Sequence, residues 1–234
     1  MRRYDILLFD ADRTLLDFDA TEKQALKGTF EKYKIPFHEE IQQTYQKLNH
    51  QLWKAYEEGS IDRHTVIYTR FDKLFSEFGL KVDGVAFEDD YQAALGRGHD
   101  LMAHAMDVVT KLKKKHDLYI VTNGVSATQY RRLNESGLDQ HFKKLFISEE
   151  CGYQKPQKEY FDVVFQHIQP KDKDRVLIIG DSLSSDIQGG INAGIHTCWF
   201  NPEKSKNDKG LVIDHEITDL RELCNIVEGS ESHE

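Results

Sequence analysis

Cysteine is scarce and scattered: Cys151, Cys198 and Cys224 are three residues in 234, with no C-x-x-C pair among them. An odd, widely spaced set supplies neither a disulfide framework nor a thiolate zinc site, and free thiols in a reducing cytoplasm are expected. Long hydrophobic runs are missing too. The apolar segment that follows Met1-Arg2-Arg3-Tyr4-Asp5 is too short for a membrane span or a secretory core and is interrupted by Asp10 and Asp12, so no membrane association is expected. There is no excess of positive charge. The formal net charge of −9 excludes a general affinity for nucleic-acid polymers. The one dense basic stretch, Lys111, Lys113, Lys114 and Lys115, is expected at the C-terminal end of a helix, where cations oppose the macrodipole favourably. No internal repeat or low-complexity tract occurs, and only residues 229–234 have the composition of a flexible tail.

What is present suffices for a large core, because a chain of this length buries roughly 70% of the surface its unfolded form exposes. Ile6-Leu7-Leu8-Phe9 is a short, uninterrupted apolar run, the pattern of a parallel strand buried on both faces. Leu118 to Val121, Leu145 to Ile147, Val176 to Ile179 and His196 to Phe200 have the same character. Helical spacing separates them, as in Phe161, Val164, Phe165 and Ile168, or in Ile187 and Ile191. This alternation predicts an α/β fold, a doubly wound parallel sheet of Rossmann-like type with helices on both faces.

The stretch from Phe18 to about Gly98 breaks the rhythm. It carries amphipathic helices and no strand: Ile41, Tyr45, Leu48, Leu52 and Tyr56 make one stripe ending near Gly59. Ile67, Phe71, Leu74, Phe75 and Phe78 make another, with Ser60 as the expected N-cap and Gly79 just past its end. The expected organisation is a core of 1–17 and 97–228 and an all-helical cap, 18–96, inserted after the first strand. Its position behind a catalytic-looking loop suggests a lid, hinged near Leu16 to Asp19 and Gly96 to Gly98.

The chemistry begins at Asp10-Ala11-Asp12, directly after the first strand. In open α/β sheets the C-terminal strand edge is where ligands bind, and paired carboxylates there can serve as nucleophile, metal ligand and proton donor. A D-x-D triplet alone is as readily a solvated turn or a helix cap. Thr122-Asn123-Gly124 ends the second strand with a hydroxyl and backbone amides suited to a phosphate, although a hydroxyl there also serves as a helix-entry device. Lys155 stands beside Pro156 after the third strand. At an edge shared with two carboxylates its charge could neutralise both a phosphoryl group and the nucleophile. The fourth strand delivers Asp181 and Asp186 in a glycine-tight turn, and oxygen ligands from separate loops are what Mg²⁺ requires. Asp186 suits a contact with Lys155 or a metal-bound water as well as it suits a helix N-terminus. Gly189, Gly190 and Gly194 do not form a dinucleotide-binding pattern and are expected to permit close helix packing.

Taken in order, Asp10-Ala-Asp12-Arg-Thr14, Thr122-Asn123-Gly124, Lys155-Pro156 and Gly180-Asp181 through Asp186 resemble the four motifs of the haloacid-dehalogenase-like (HAD) superfamily across nearly the whole chain. The resemblance implies Asp10 as nucleophile through an aspartyl phosphate and Asp12 as general acid and base. It also implies Thr122 and the amide of Asn123 as phosphate contacts, and Lys155 as a catalytic and substrate-binding cation. Mg²⁺ would be held by Asp10, the carbonyl of Asp12 and Asp181, with Asp186 behind them. The acid at position 12 favours phosphate ester hydrolysis over dehalogenation. Arg13 replaces a glycine found in many relatives.

Further runs, Phe9-Asp-Ala-Asp with Thr14 to Phe18, Ile147 to Gly152, and Gly189 to Ile195 with Thr197 to Asn201, are similar to the superfamily's bacterial pyrimidine 5′-nucleotidases, which dephosphorylate non-standard nucleoside monophosphates. The implied partner is a small phosphoester, a nucleoside monophosphate in the first instance, acted on by a monomer or homodimer. Phe18, Trp53 and Tyr56 are candidates for stacking on a base, with core packing the competing role. Hydrolysis of phosphoglycolate or a sugar phosphate, and a phosphomutase, are alternatives on the same fold. A phosphoacceptor signalling domain is the non-enzyme alternative, opposed by Asp12 and by the helical insertion.

Overall fold

The computed structural model describes residues 3–228; the expected tail, 229–234, lies outside them. The described residues divide into two compact units, Phe18–Gly98 and a larger one made of the residues up to Asp17 and from His99 onward.

The larger unit is built on six parallel strands in the order β3-β2-β1-β4-β5-β6. These are β1 (Ile6–Phe9), β2 (Asp117–Thr122), β3 (Lys144–Ile147), β4 (Val176–Gly180), β5 (His196–Phe200) and β6 (His215–Ile217). β1 is central and buried along its whole length, which is why it reads as an unbroken apolar run. Its side chains alternate between two cores. Leu7 and Phe9 join Leu118, Ile120, Leu177 and Ile179 on one face. Ile6 and Leu8 join Val121, Phe146 and Ile178 on the other. β6 was not foreseen, because only Ile217 of its three residues is buried and no pattern of alternation can show.

Helices α5 (Ala105–Leu112), α6 (Ser126–Glu135), α7 (Ser148–Cys151), α8 (Lys158–Ile168), α9 (Gln188–Ala193) and α10 (Leu223–Glu228) belong to this unit. α5 ends one residue before Lys113, as the basic run implied. Leu183–Ile187 form a π-helical turn ahead of α9. A β-carbon on Gly189 would stand 2.8 Å from the Phe161 ring, and one on Gly190 would stand 2.6 Å from Ile178, so both permit the packing expected of them. Gly194 differs: it ends α9 at a φ of 69°, with open space around it. The chain leaves this unit at Asp17 and returns at residue 99. Asp17 N donates to Asp100 O at 2.9 Å, Met102 N donates to Leu15 O at 2.9 Å, and Leu16 and Leu101 form an antiparallel bridge, so exit and return lie side by side.

The smaller unit contains α1 (Phe18–Lys32), α2 (Glu39–Glu57), α3 (Arg63–Glu77) and α4 (Gly84–Leu95). Phe30, Tyr45, Phe71, Phe75, Phe87 and Tyr91 fill its centre. Asp62, not Ser60, caps α3, accepting from Thr65 N at 2.7 Å. A carboxylate three residues before that amide completes the first turn, which a serine two residues earlier cannot reach. Buried Arg70 donates to both Glu88 oxygens at 2.7 and 2.6 Å and to Asn49 at 2.9 Å, and three aromatic rings surround it. Phe18, Trp53 and Tyr56 all pack against apolar clusters of this unit. Among the described residues no helix is long and apolar enough to cross a membrane.

Candidate active site

β1 runs between β2 and β4, so the reversal of strand order falls at its C-terminal end, where a crevice forms between diverging loops. Asp10 is the first residue beyond that end and is held in line by its own amide, which donates to Ile179 O at 2.9 Å. Thr122 closes β2, and Asp181 follows Gly180 at the close of β4.

Lys155 converges on the same point from the loop after β3. It is 1% exposed, and its three ammonium protons meet three acceptors: Asp10 Oδ1 at 2.7 Å, Asp186 Oδ1 at 2.6 Å and Val121 O at 2.8 Å. Its backbone is fixed by Asn123, whose amide accepts from Lys155 N and donates to Lys155 O, both at 2.9 Å. The Lys155-Pro156 peptide is cis. The side chain of Asn123 thus serves the lysine. Asp186 also accepts from Ser182 N at 3.1 Å. It therefore stands behind the lysine rather than at a bare helix start.

Burial and the neighbouring carboxylates Asp186 and Asp12 push the Asp10 carboxyl up to about 7 against the pull of Lys155. Asp181 is raised well above its ordinary value by burial and by Asp10 and Asp186, with Arg13 and Lys155 opposing. Burial pulls the Lys155 ammonium down, but Asp10 and Asp186 outweigh it, so its pKa is raised. Three acids thus crowd around Lys155, with Arg13 a further positive charge acting on Asp181. Ligand oxygens of Asp10, Asp181 and Asp186 lie within 4.8 Å of one another. With Asp186 already given to Lys155, an all-oxygen set built on Asp10 and Asp181 fits a hard divalent cation that retains waters.

Asp12 points elsewhere. Its Oδ1 accepts from Arg132 Nη1 and its Oδ2 from Gln129 Nε2 at 2.8 Å, so the carboxylate is held by α6. Neither Gln129 nor Arg132 was anticipated. The signal was a helical one: Gln129 stands three residues before Arg132 and four before buried Leu133, the spacings of neighbours on a helix surface. Arg13, next to Asp12 in the loop, has a φ of 58°, a conformation costing a non-glycine residue roughly 1–2 kcal/mol. Its amide donates to Leu16 O at 2.8 Å, closing the turn.

The profile of the haloacid dehalogenase-like hydrolases matches residues 4–194. The chain is 47% identical to the HAD-hydrolase YfnB of Bacillus subtilis over 97% of both chains. A crystal structure of YfnB bound to magnesium, for which interdomain movement is described, superposes with a TM-score of 0.93 at 46% identity, covering 97% of this chain and all of that one. The pyrimidine 5′-nucleotidase PynA of Streptococcus pneumoniae is 38% identical over 96% of this chain and 95% of its own. The pyrimidine 5′-nucleotidase YjjG of Escherichia coli is 34% identical over 94% and 96%. With four ordered motifs gathered at one sheet edge and a family profile spanning most of its length, the chain belongs to the haloacid dehalogenase-like hydrolases.

Proposed function

We propose that the protein is a Mg²⁺-dependent phosphomonoester hydrolase acting on pyrimidine nucleoside monophosphates, non-standard ones included. The observation that carries the phosphatase reading is Asp10, a buried carboxylate at the sheet's switch point, hydrogen bonded by a buried lysine and flanked by Asp181. The nucleotidase reading is supported by full-length similarity to PynA and YjjG.

In this reading Asp10 Oδ attacks phosphorus, forming an aspartyl phosphate as the ester P–O bond breaks. Asp12 gives its proton to the departing oxygen and then takes one from the hydrolytic water. Lys155 anchors the Asp10 carboxylate and supplies positive charge to the phosphoryl group, which Thr122 and the amide of Asn123 contact. Mg²⁺, held by Asp10, the carbonyl of Asp12 and Asp181, would supply charge neutralisation for the transferring group. Asp12 argues for release of phosphate over its retention, since a signalling phosphoacceptor gains nothing from an acid and base beside the nucleophile. The helical unit Phe18–Gly98 is assigned the role of a substrate-selecting cap.

The test is a phosphate-release screen with Mg²⁺ over pyrimidine and purine nucleoside monophosphates, phosphoglycolate, hexose phosphates and glyceraldehyde 3-phosphate. Pyrimidine substrates should exceed the others in kcat/KM by at least about tenfold, the scale of one or two pocket contacts. Faster turnover of a non-nucleotide would overturn the nucleotidase assignment, and no phosphate release from any ester would overturn both.

A further inference from the structure

Gln129 and Arg132 are each 1% exposed and lie one turn apart on α6. The Gln129 nitrogen serves two acceptors, Asp12 Oδ2 at 2.8 Å and Thr122 Oγ1 at 2.9 Å. At the other end of the same amide, Oε1 accepts from Arg132 Nη1 at 3.3 Å, and that Nη1 also contacts Asp12 Oδ1. The amide can face only one way in this setting, because reversing it would put its oxygen against a carboxylate and its nitrogen against a guanidinium. Gly124 leaves room for that amide: a β-carbon there would stand 2.6 Å from Gln129 Nε2.

A second consequence falls on Thr122. Its hydroxyl oxygen accepts from Gln129 Nε2 at 2.9 Å and from Gly124 N at 3.2 Å, so both lone pairs are engaged. The proton of that hydroxyl is then left to donate, and an anionic phosphoryl oxygen is the acceptor the site would offer.

We propose that Gln129 and Arg132 are positioning residues for the reaction: together they set the Asp12 carboxyl, and Gln129 turns the Thr122 hydroxyl into an obligatory donor toward phosphate. This rests on the phosphomonoesterase reading above. A merely structural Arg132 would be a buried cation satisfied by the nearest carboxylate, and its loss would slow every substrate alike.

Two substrates separate these roles, an aryl phosphate whose leaving group departs without a proton and a nucleoside 5′-monophosphate whose alkoxide needs one. The quantity to compare is kcat/KM, which reports the steps up to leaving-group departure. Arg132→Met should lower it on the order of 10²-fold for the nucleotide, the scale of general-acid loss, and less than about fivefold for the aryl ester. Arg132→Lys should recover part of the nucleotide activity. In an Asp12→Asn background, adding Arg132→Met should cost less than about twofold. Gln129→Met should lower nucleotide turnover and also weaken competitive inhibition by inorganic phosphate. Thermal melts accompany each variant; if Arg132→Met does not fold, Arg132→Lys and Gln129→Met read the same substrate ratio. Equal losses on both esters, or additive losses with Asp12→Asn, would overturn the positioning role. Wild-type protein that cleaves neither ester would overturn the phosphatase reading itself, whereas active wild type with an unmoved ratio would overturn only the part played by Gln129 and Arg132.

Discussion

Gly180 and Asp186 meet where a side chain would otherwise be: a β-carbon on Gly180 would stand 2.1 Å from Asp186 Oδ2. The glycine at the end of β4 is there for space, because the Asp186 carboxylate folds back over it to reach Ser182 N and Lys155. Gly180→Ala should dislodge Asp186, loosen Lys155 and reduce phosphate release. Each 1 kcal/mol lost should appear as a fall of about 2–4 °C in Tm for a chain of this size. Melting and turnover like those of the wild type would contradict this account.

Asp10 and Lys155 should respond differently to removal. Asp10→Asn takes one negative charge from a crowded site and leaves Lys155 paired with Asp186 and Val121 O. The variant should fold as stably as the parent while its turnover falls below about a thousandth. Lys155→Met leaves two buried carboxylates facing each other without a cation. It should cost about 3–5 kcal/mol in urea unfolding, the usual penalty for breaking a buried ion pair from one side. An Asp10→Asn variant with normal turnover would remove Asp10 from the role of nucleophile.

Chelation of divalent metal should stop phosphate release, and Mg²⁺ should restore it. Since the cation would relieve repulsion among Asp10, Asp181 and Asp186, Mg²⁺ should also raise Tm, by mass action on the folded state. Asp181→Asn should blunt that rise. Full activity in chelator, or an unchanged Mg²⁺ response in Asp181→Asn, would dismiss the assigned ligand.

At the opposite end of the sheet, His215 Nε2 and the Tyr4 hydroxyl share a hydrogen bond of 2.8 Å, and the ring sits near Arg3, Asp214 and His196. Burial, then the Arg3 and His196 charges, hold its pKa below 6.5 despite Asp214. A lowered pKa means that the folded state binds its proton less readily than the unfolded chain. The associated stability is full above pH 6.5 and is lost as pH falls through the folded value. His215→Gln should therefore flatten the decline in stability between neutral and mildly acidic pH, measured by urea unfolding. An equally steep decline would assign it to other groups.

The parts of this protein most legible in its sequence are those where one physical demand acts alone. β1 must be apolar along its length because both faces are covered, and Asp10, Thr122 and Asp181 stand out because each follows such a run. Lys155 is legible only in company, since a single lysine carries no sign of burial. Gln129 and Arg132 escaped because polar residues on a helix ordinarily face water, and only the tertiary neighbours Asp12 and Thr122 make an inward face favourable. Asp62 and Ser60 are both good capping residues, and the choice between them depends on where α3 begins to wind. β6 is too short to show a period at all.

The hydrogen-bonded stem at Leu15 to Asp17 and Asp100 to Met102 gives the molecule a single doorway through which eighty-odd residues are threaded out and back. A segment whose two ends are already tied together can be exchanged, lengthened or trimmed without re-routing any strand. Evolution, or an engineer, can then rewrite that stretch of gene while the reaction centre keeps its scaffold.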